Sequence, residues 1–119
     1  MFYKDDKLAY LVTNNHVVEG AAKVDIVRDS GKHYNAEVVG TDPYTDLAVL
    51  KVPANVFKGV DPINFADSDK IEAGEPAIAI GTPLGLDFAD TVTSGIVSAK
   101  SRIMRYRMRQ LNRPWIIRR

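Results

Sequence analysis

Cysteine is absent from the chain, which excludes disulfides and thiolate chemistry while fitting either side of a membrane. No stretch approaches the roughly 18 uncharged apolar residues that a membrane-spanning helix needs. Met1-Phe2-Tyr3-Lys4 opens directly in foldable sequence with no leader pattern ahead of it; a processed or shortened chain would look the same, so this absence does not fix the compartment. Helical periodicity is also missing: before residue 100 no apolar pattern at three-to-four spacing runs long enough for a stable helix. Acidic residues are missing from the last twenty positions, which hold eight of the sixteen Lys and Arg, so residues 1–99 carry eight basic against fifteen acidic side chains, a net −7. The formal +1 thus conceals an acidic body and a basic tail. What is abundant is apolar sequence, 45% of 119 residues, enough for one globular domain or one lobe of a larger one.

Short alternating runs bounded by turn residues fill most of the chain. Asp5-Asp6-Lys7 separates an apolar start from Leu8 to Thr13, which predicts a hairpin whose first arm is cut short. Asn14-Asn15 ends that strand by offering local side-chain hydrogen bonds to the backbone. Val17 to Gly20 allows only a single helical turn. Lys23 to Arg28 and His33 to Thr41 pair around Asp29-Ser30-Gly31-Lys32, with Gly31 free to take positive φ. Asp42-Pro43-Tyr44-Thr45 is a second turn, and Leu47 to Val52 has the continuous apolar character of an inner strand. Residues 54–76 read as a loop pinned to the core, followed by a short buried strand at Ala77 to Ile80 and a last clean strand at Thr91 to Ala99. Gly95 within that strand signals a bulge or a close backbone approach. The segment beyond Ser101 fits a short basic helix or a disordered tail. The class is all-β and antiparallel.

Two of these segments face each other chemically. Tyr10 to Ala22 presents His16 where a strand stops, and Thr45 to Val52 presents Asp46 where another begins. A general base needs a carboxylate that holds its imidazole in one tautomer at hydrogen-bond distance. Spacing alone does not make the pair a site, because a histidine after a strand more often serves a turn. Elsewhere the bland readings prevail. His33 is a strand surface residue; Asp67, Asp69 and Glu72 lack the donor spacing and glycine position of a calcium loop. Gly81-Thr82-Pro83-Leu84-Gly85 has no Lys-Ser/Thr with which to cradle a phosphate. No metal and no cofactor are expected.

Thr13-Asn14-Asn15-His16-Val17-Val18, Thr45-Asp46-Leu47-Ala48-Val49-Leu50, Phe65-Ala66-Asp67-Ser68-Asp69, Ala79-Ile80-Gly81-Thr82-Pro83-Leu84-Gly85 and Thr91-Val92-Thr93-Ser94-Gly95-Ile96-Val97-Ser98 closely resemble, in the same order, the HtrA (Deg) family of trypsin-like serine proteases. The resemblance implies an incomplete chymotrypsin-like β-barrel. Residues 1–80 would form the first lobe, 81–99 the crossover and first strand of a second lobe, and 100–119 a basic tail. It implies that His16 is the catalytic histidine and Asp46 the catalytic aspartate of a Ser-His-Asp triad. It further implies a secreted, periplasmic or membrane-tethered endopeptidase acting on unfolded or misfolded polypeptides. The family's Gly-Asn-Ser-Gly-Gly nucleophile segment does not occur in these residues, nor does its Gly-Ser-Gly opening strand or a PDZ domain. Thr82 stands where the family commonly has Asn. The match decays after Ser101, as it would in a shortened chain or one carrying a frame change.

None of Ser30, Ser68, Ser94, Ser98 or Ser101 lies in a tight glycine-rich turn able to aim two amides at an oxyanion. The expectation is therefore that these residues alone are inactive, although the parent protein is a serine endopeptidase. Self-association through the Thr91 strand or the Trp115 to Ile117 patch is expected, and membrane contact only through segments outside these residues. The competing class is a non-catalytic β-barrel whose arginine-rich tail holds an acidic partner or nucleic acid. Against nucleic acid, only Tyr106 and Trp115 supply aromatic surface among the arginines.

Overall fold

The computed structural model describes residues 1–81, 91–99, 103–106 and 115–118. The chain divides into two compact units, Met1–Ala66 and Asp67–Arg119.

The first unit is one antiparallel sheet of five strands: β1 (Tyr3–Lys4), β2 (Leu8–Thr13), β3 (Val24–Val27), β4 (His33–Asp42) and β5 (Leu47–Pro53), in the order β1-β2-β5-β4-β3. Strand β5 is central because its sequence allows it: Ala48, Leu50 and Val52 alternate onto one face and are at most 3% exposed. Its register with β2 sets Val52 opposite Ala9, Leu50 opposite Leu11 and Ala48 opposite Thr13. Covering Val52 alone contributes about 1.5–3 kcal/mol. On the opposite face of the same strand Lys51 pairs with Glu37 across to β4, Nζ to Oε1 2.9 Å. A one-residue slip would bury that ion pair and expose the core, so the register is firmly specified.

The sheet is not closed into a barrel among the described residues: β1 and β3 are its edges. The all-β, antiparallel, incomplete architecture thus matches expectation, while the extra residue that bends the sheet was expected at the wrong glycine. The bulge lies in β4 between Val38 and Gly40, opposite Leu50 and Val49 of β5. Gly95 pairs regularly with Ala77, and nothing lies within 4 Å of the position its Cβ would occupy.

A 3₁₀ turn at Ala54–Phe57 lies against the sheet and puts Val56 and Phe57 into the core. The Lys4 ammonium ties it down, donating to the carbonyls of Val60 (2.6 Å) and Phe57 (3.3 Å), and the Ala54 amide donates to Lys7 O at 2.9 Å. Further on, Phe65 stacks obliquely near Phe2, ring centroids 6.1 Å apart, but stays 70% exposed.

In the second unit β6 (Pro76–Gly81) pairs antiparallel with β7 (Thr91–Ile96). Strand β6 was expected to be buried, yet every one of its residues is exposed. Cross-strand register puts Pro76, Ile78, Ile80, Val92 and Ile96 on one face, and the four branched side chains are 60–70% exposed. Two strands offer no second layer against which that face can pack. The tail differs from both expectations. Instead of helix or disorder, β8 (Ile103–Tyr106) and β9 (Trp115–Arg118) form a two-stranded antiparallel sheet with Tyr106 opposite Trp115. Period-two alternation in so short and arginine-rich a run is hard to separate from helical spacing. The stretch at residues 82–90, including Thr82, lies outside the described residues.

Candidate active site

Two turns on neighbouring strands build the site. Strand β2 ends at Thr13, and Asn15–Val18 closes a single helical turn, α1, that presents His16. Val18 anchors this turn in the core, 6% exposed, and Gly20 leaves it at φ 71, a conformation glycine adopts without steric cost. The second turn is fixed by Asp42, whose Oδ1 accepts from the Tyr44 amide (2.9 Å) and whose Oδ2 accepts from the Thr45 hydroxyl (2.7 Å). This aspartate-centred turn delivers Asp46 immediately before β5 begins.

Asp46 is gripped at both ends by the segment that carries the histidine. Its carboxylate accepts from the His16 ring, Nδ1 to Oδ2 2.6 Å, and from the His16 backbone amide, N to Oδ1 2.9 Å. Its backbone carbonyl accepts from the Asn15 amide at 3.1 Å and from the Asn14 side chain at 3.0 Å. Asp46 has φ 56, the only positive φ outside glycine among the described residues. Aspartate tolerates this left-handed region better than most residues, yet it costs on the order of 1 kcal/mol, offset here by the surrounding hydrogen bonds.

The His16 side chain is 68% exposed and that of Asp46 42%. With Nδ1 committed to the carboxylate, Nε2 is the nitrogen available as a proton acceptor. The His16 backbone amide, then its ring, hold the Asp46 carboxyl below its usual 3.8. Asp42 is held down by the Thr45 hydroxyl and the Tyr44 amide, and Asp5 by the amides of Leu8 and Lys7. A carboxylate with a lower pKa folded than unfolded contributes stability above 3.8, and that contribution disappears as pH falls through the folded value. Thermal midpoints are therefore expected to hold from neutral pH to about pH 5 and then to fall. Asp46→Asn should flatten the acid limb, and an equally steep limb in that variant would contradict the assignment.

The structure brings together His16 and Asp46, the two residues proposed from sequence. The remaining candidates have other roles. His33 Nδ1 is 4.0 Å from Asp25 Oδ2, beyond hydrogen-bond reach, while Lys23 pairs with that carboxylate at 3.1 Å. Asp67 caps the turn at Ser68–Lys70 by accepting from the Asp69 amide at 3.1 Å. Among the described residues no group of three or more potential ligands is arranged to hold a metal. Asn14 was read as a local strand terminator, whereas its amide reaches 32 residues along the chain. The signal available was an asparagine two residues before the histidine, in a position where local hydrogen bonding was an equally good account.

The fold so far is an open antiparallel sheet with an imidazole and a carboxylate joined at its rim. The family model for the trypsin-like peptidase domain matches residues 1–115, and the chain belongs to that family. Within it the similarity is to HtrA-type proteases. A Serine protease Do-like HtrA of Lactococcus lactis subsp. cremoris is 53% identical over 94 residues, covering 79% of this chain and 23% of the relative. A probable periplasmic serine endoprotease, DegP-like, of Chlamydia muridarum is 46% identical over 93 residues, 78% of this chain and 18% of the relative. The solved structure of the HtrA-type protease AlgW with a tripeptide superposes with a TM-score of 0.68 at 37% identity, over 92% of this chain and 32% of that one. The chain thus spans about a fifth of the length of the curated relatives it matches.

Proposed function

We propose that His16 is the general base and Asp46 the orienting carboxylate of a serine endopeptidase. The observation that carries this is the 2.6 Å contact between His16 Nδ1 and Asp46 Oδ2, within the matched peptidase region. Asp46 fixes the tautomer in which Nδ1 bears the proton, so Nε2 is free to take a proton from a serine hydroxyl. The serine oxygen then attacks the peptide carbonyl, and the protonated imidazole, stabilised by the Asp46 charge, returns its proton to the departing amine. Residues 1–119 supply the base and its partner. The nucleophile and oxyanion donors belong to a glycine-rich segment of the HtrA type that does not occur among them. The substrates are polypeptides, unfolded or misfolded ones as the family resemblance implies, and the location is extracytoplasmic, as the name of the periplasmic DegP-like relative supports. The test is a chimera that joins residues 1–99 to the part of the Lactococcus relative beyond its matched 94 residues. Hydrolysis of a peptide substrate that disappears in the His16→Ala form supports the proposal; full activity in that form refutes it.

The exposed apolar face of β6 and β7 supports a second expectation, self-association of the 119-residue chain. Exposed branched side chains gathered on one face of a two-stranded sheet favour pairing between copies. Sedimentation velocity over a wide concentration range should show dimers or larger species. Replacement of Ile78 and Ile80 by Lys should shift the distribution towards monomer, and a monomer at every concentration would end the idea.

A further inference from the structure

We propose that Asn14 is a positioning residue for the His16–Asp46 pair: its side-chain amide holds the Asp46 carbonyl and thereby sets the direction from which the Asp46 carboxylate meets the imidazole. Asn14 occupies the N-cap position of α1, at φ −87 and ψ 145, where an asparagine ordinarily accepts a hydrogen bond from its own helical turn. It makes no such side-chain bond. Its Nδ2 donates instead to Asp46 O at 3.0 Å, forgoing a cap for a contact across the site.

The reason lies in the backbone of Asp46. At φ 56 this residue has a more populated alternative at negative φ. Rotation into it would swing carbonyl and carboxylate together, so a grip on the carbonyl is also a grip on the carboxylate. Two donors provide it, the Asn15 amide at 3.1 Å and the Asn14 side chain at 3.0 Å. Both belong to residues adjoining His16, whose own amide and ring engage the carboxylate at 2.9 Å and 2.6 Å. Three consecutive residues therefore carry the base and the clamp on its acid. The other donor is a backbone amide that any residue but proline supplies at 15, so Asn14 is the one contact on the carbonyl made by a side chain.

The catalytic meaning of this clamp rests on the function proposed above; the clamp itself does not, and its test reads the pair directly in the 119-residue chain. Asn14→Ala removes the donor. Asn14→Asp keeps the shape and turns an oxygen towards the Asp46 carbonyl. The measurements are the Asp46 side-chain carboxyl titration by carbon-13 NMR, solvent exchange of the His16 Nδ1 proton, and amide protection across β2 and β5. In both variants the Asp46 titration is expected to move up towards 3.8, and Nδ1 proton exchange to quicken about fivefold, the equivalent of one ordinary hydrogen bond. Protection at Leu11, Leu50 and Val52 is expected to stay as it is. An Asp46 titration unchanged in both variants overturns the proposal. So does a change that comes only with loss of protection in β2 and β5, which would make Asn14 a structural residue. If the chimera above proves inactive while the titration moves as expected, the clamp stands and the catalytic reading falls.

Discussion

His16→Ala in the chimera with the Lactococcus relative is expected to lower kcat by a factor on the order of 10⁴ to 10⁶, with little change in KM. The size follows from what the imidazole does. Without it, a serine hydroxyl must lose its proton to water while it attacks, and the leaving amine must depart without a proton donor. Substrate contacts and oxyanion donors lie elsewhere and survive, so binding persists and a residual rate above water remains. Asp46→Asn is expected to cost about 10⁴, because an amide at the same place accepts less well from Nδ1 and can present an N–H that selects the wrong tautomer. It also removes the charge that stabilises the imidazolium. The double variant should be barely worse than His16→Ala alone, since the groups act as one unit. If His16→Ala keeps more than about a hundredth of the rate, the base has been assigned to the wrong residue.

The parts of this site that were legible in the sequence are those that depend on residue type and local order. His16 after β2 and Asp46 before β5 stood at strand mouths because apolar alternation stopped there, and the β2–β5 register then brought them together. The turn at Asp42 was legible from Asp42-Pro43, although the hydroxyl of Thr45 as its second donor was not. The contacts that hold Asp46 in the left-handed region were hidden: two backbone amides and one asparagine side chain form them across 30 to 32 residues, and backbone donors have no sequence signature. The bulge was misplaced for a related reason. A glycine marks where a backbone is free to bend, but Gly40 and Gly95 look alike until the strand opposite each is known. Burial of Ile78 and Ile80 was overestimated because an apolar run reports an affinity for a covering layer, whereas their 70% and 69% exposure reports what is stacked on them.

A polypeptide of residues 1–119 treated with a fluorophosphonate is expected to keep its intact mass, and to release nothing measurable from casein. Covalent labelling needs a serine whose proton His16 Nε2 can take, together with donors for the developing oxyanion. Ser30 sits in the β3–β4 turn, Ser68 opens the 3₁₀ turn at Ser68–Lys70, Ser94 is paired to Ile78 within β7, and Ser98 follows that strand. Ser101 lies outside the described residues. The four described serines occupy ordinary turn, strand or strand-end backbone, without the sharp glycine-flanked elbow that turns successive amides towards one point. The short His16–Asp46 hydrogen bond does not change this, because an oriented imidazole activates a serine only where donors also await the developing oxyanion. The chimera separates the two causes of a null result: activity there with silence here assigns the deficit to the nucleophile segment, with the His–Asp corner intact. A stoichiometric adduct on the 119-residue chain that vanishes in His16→Ala would mean that one of these five serines is a nucleophile after all, and peptide mapping of the adduct would identify which.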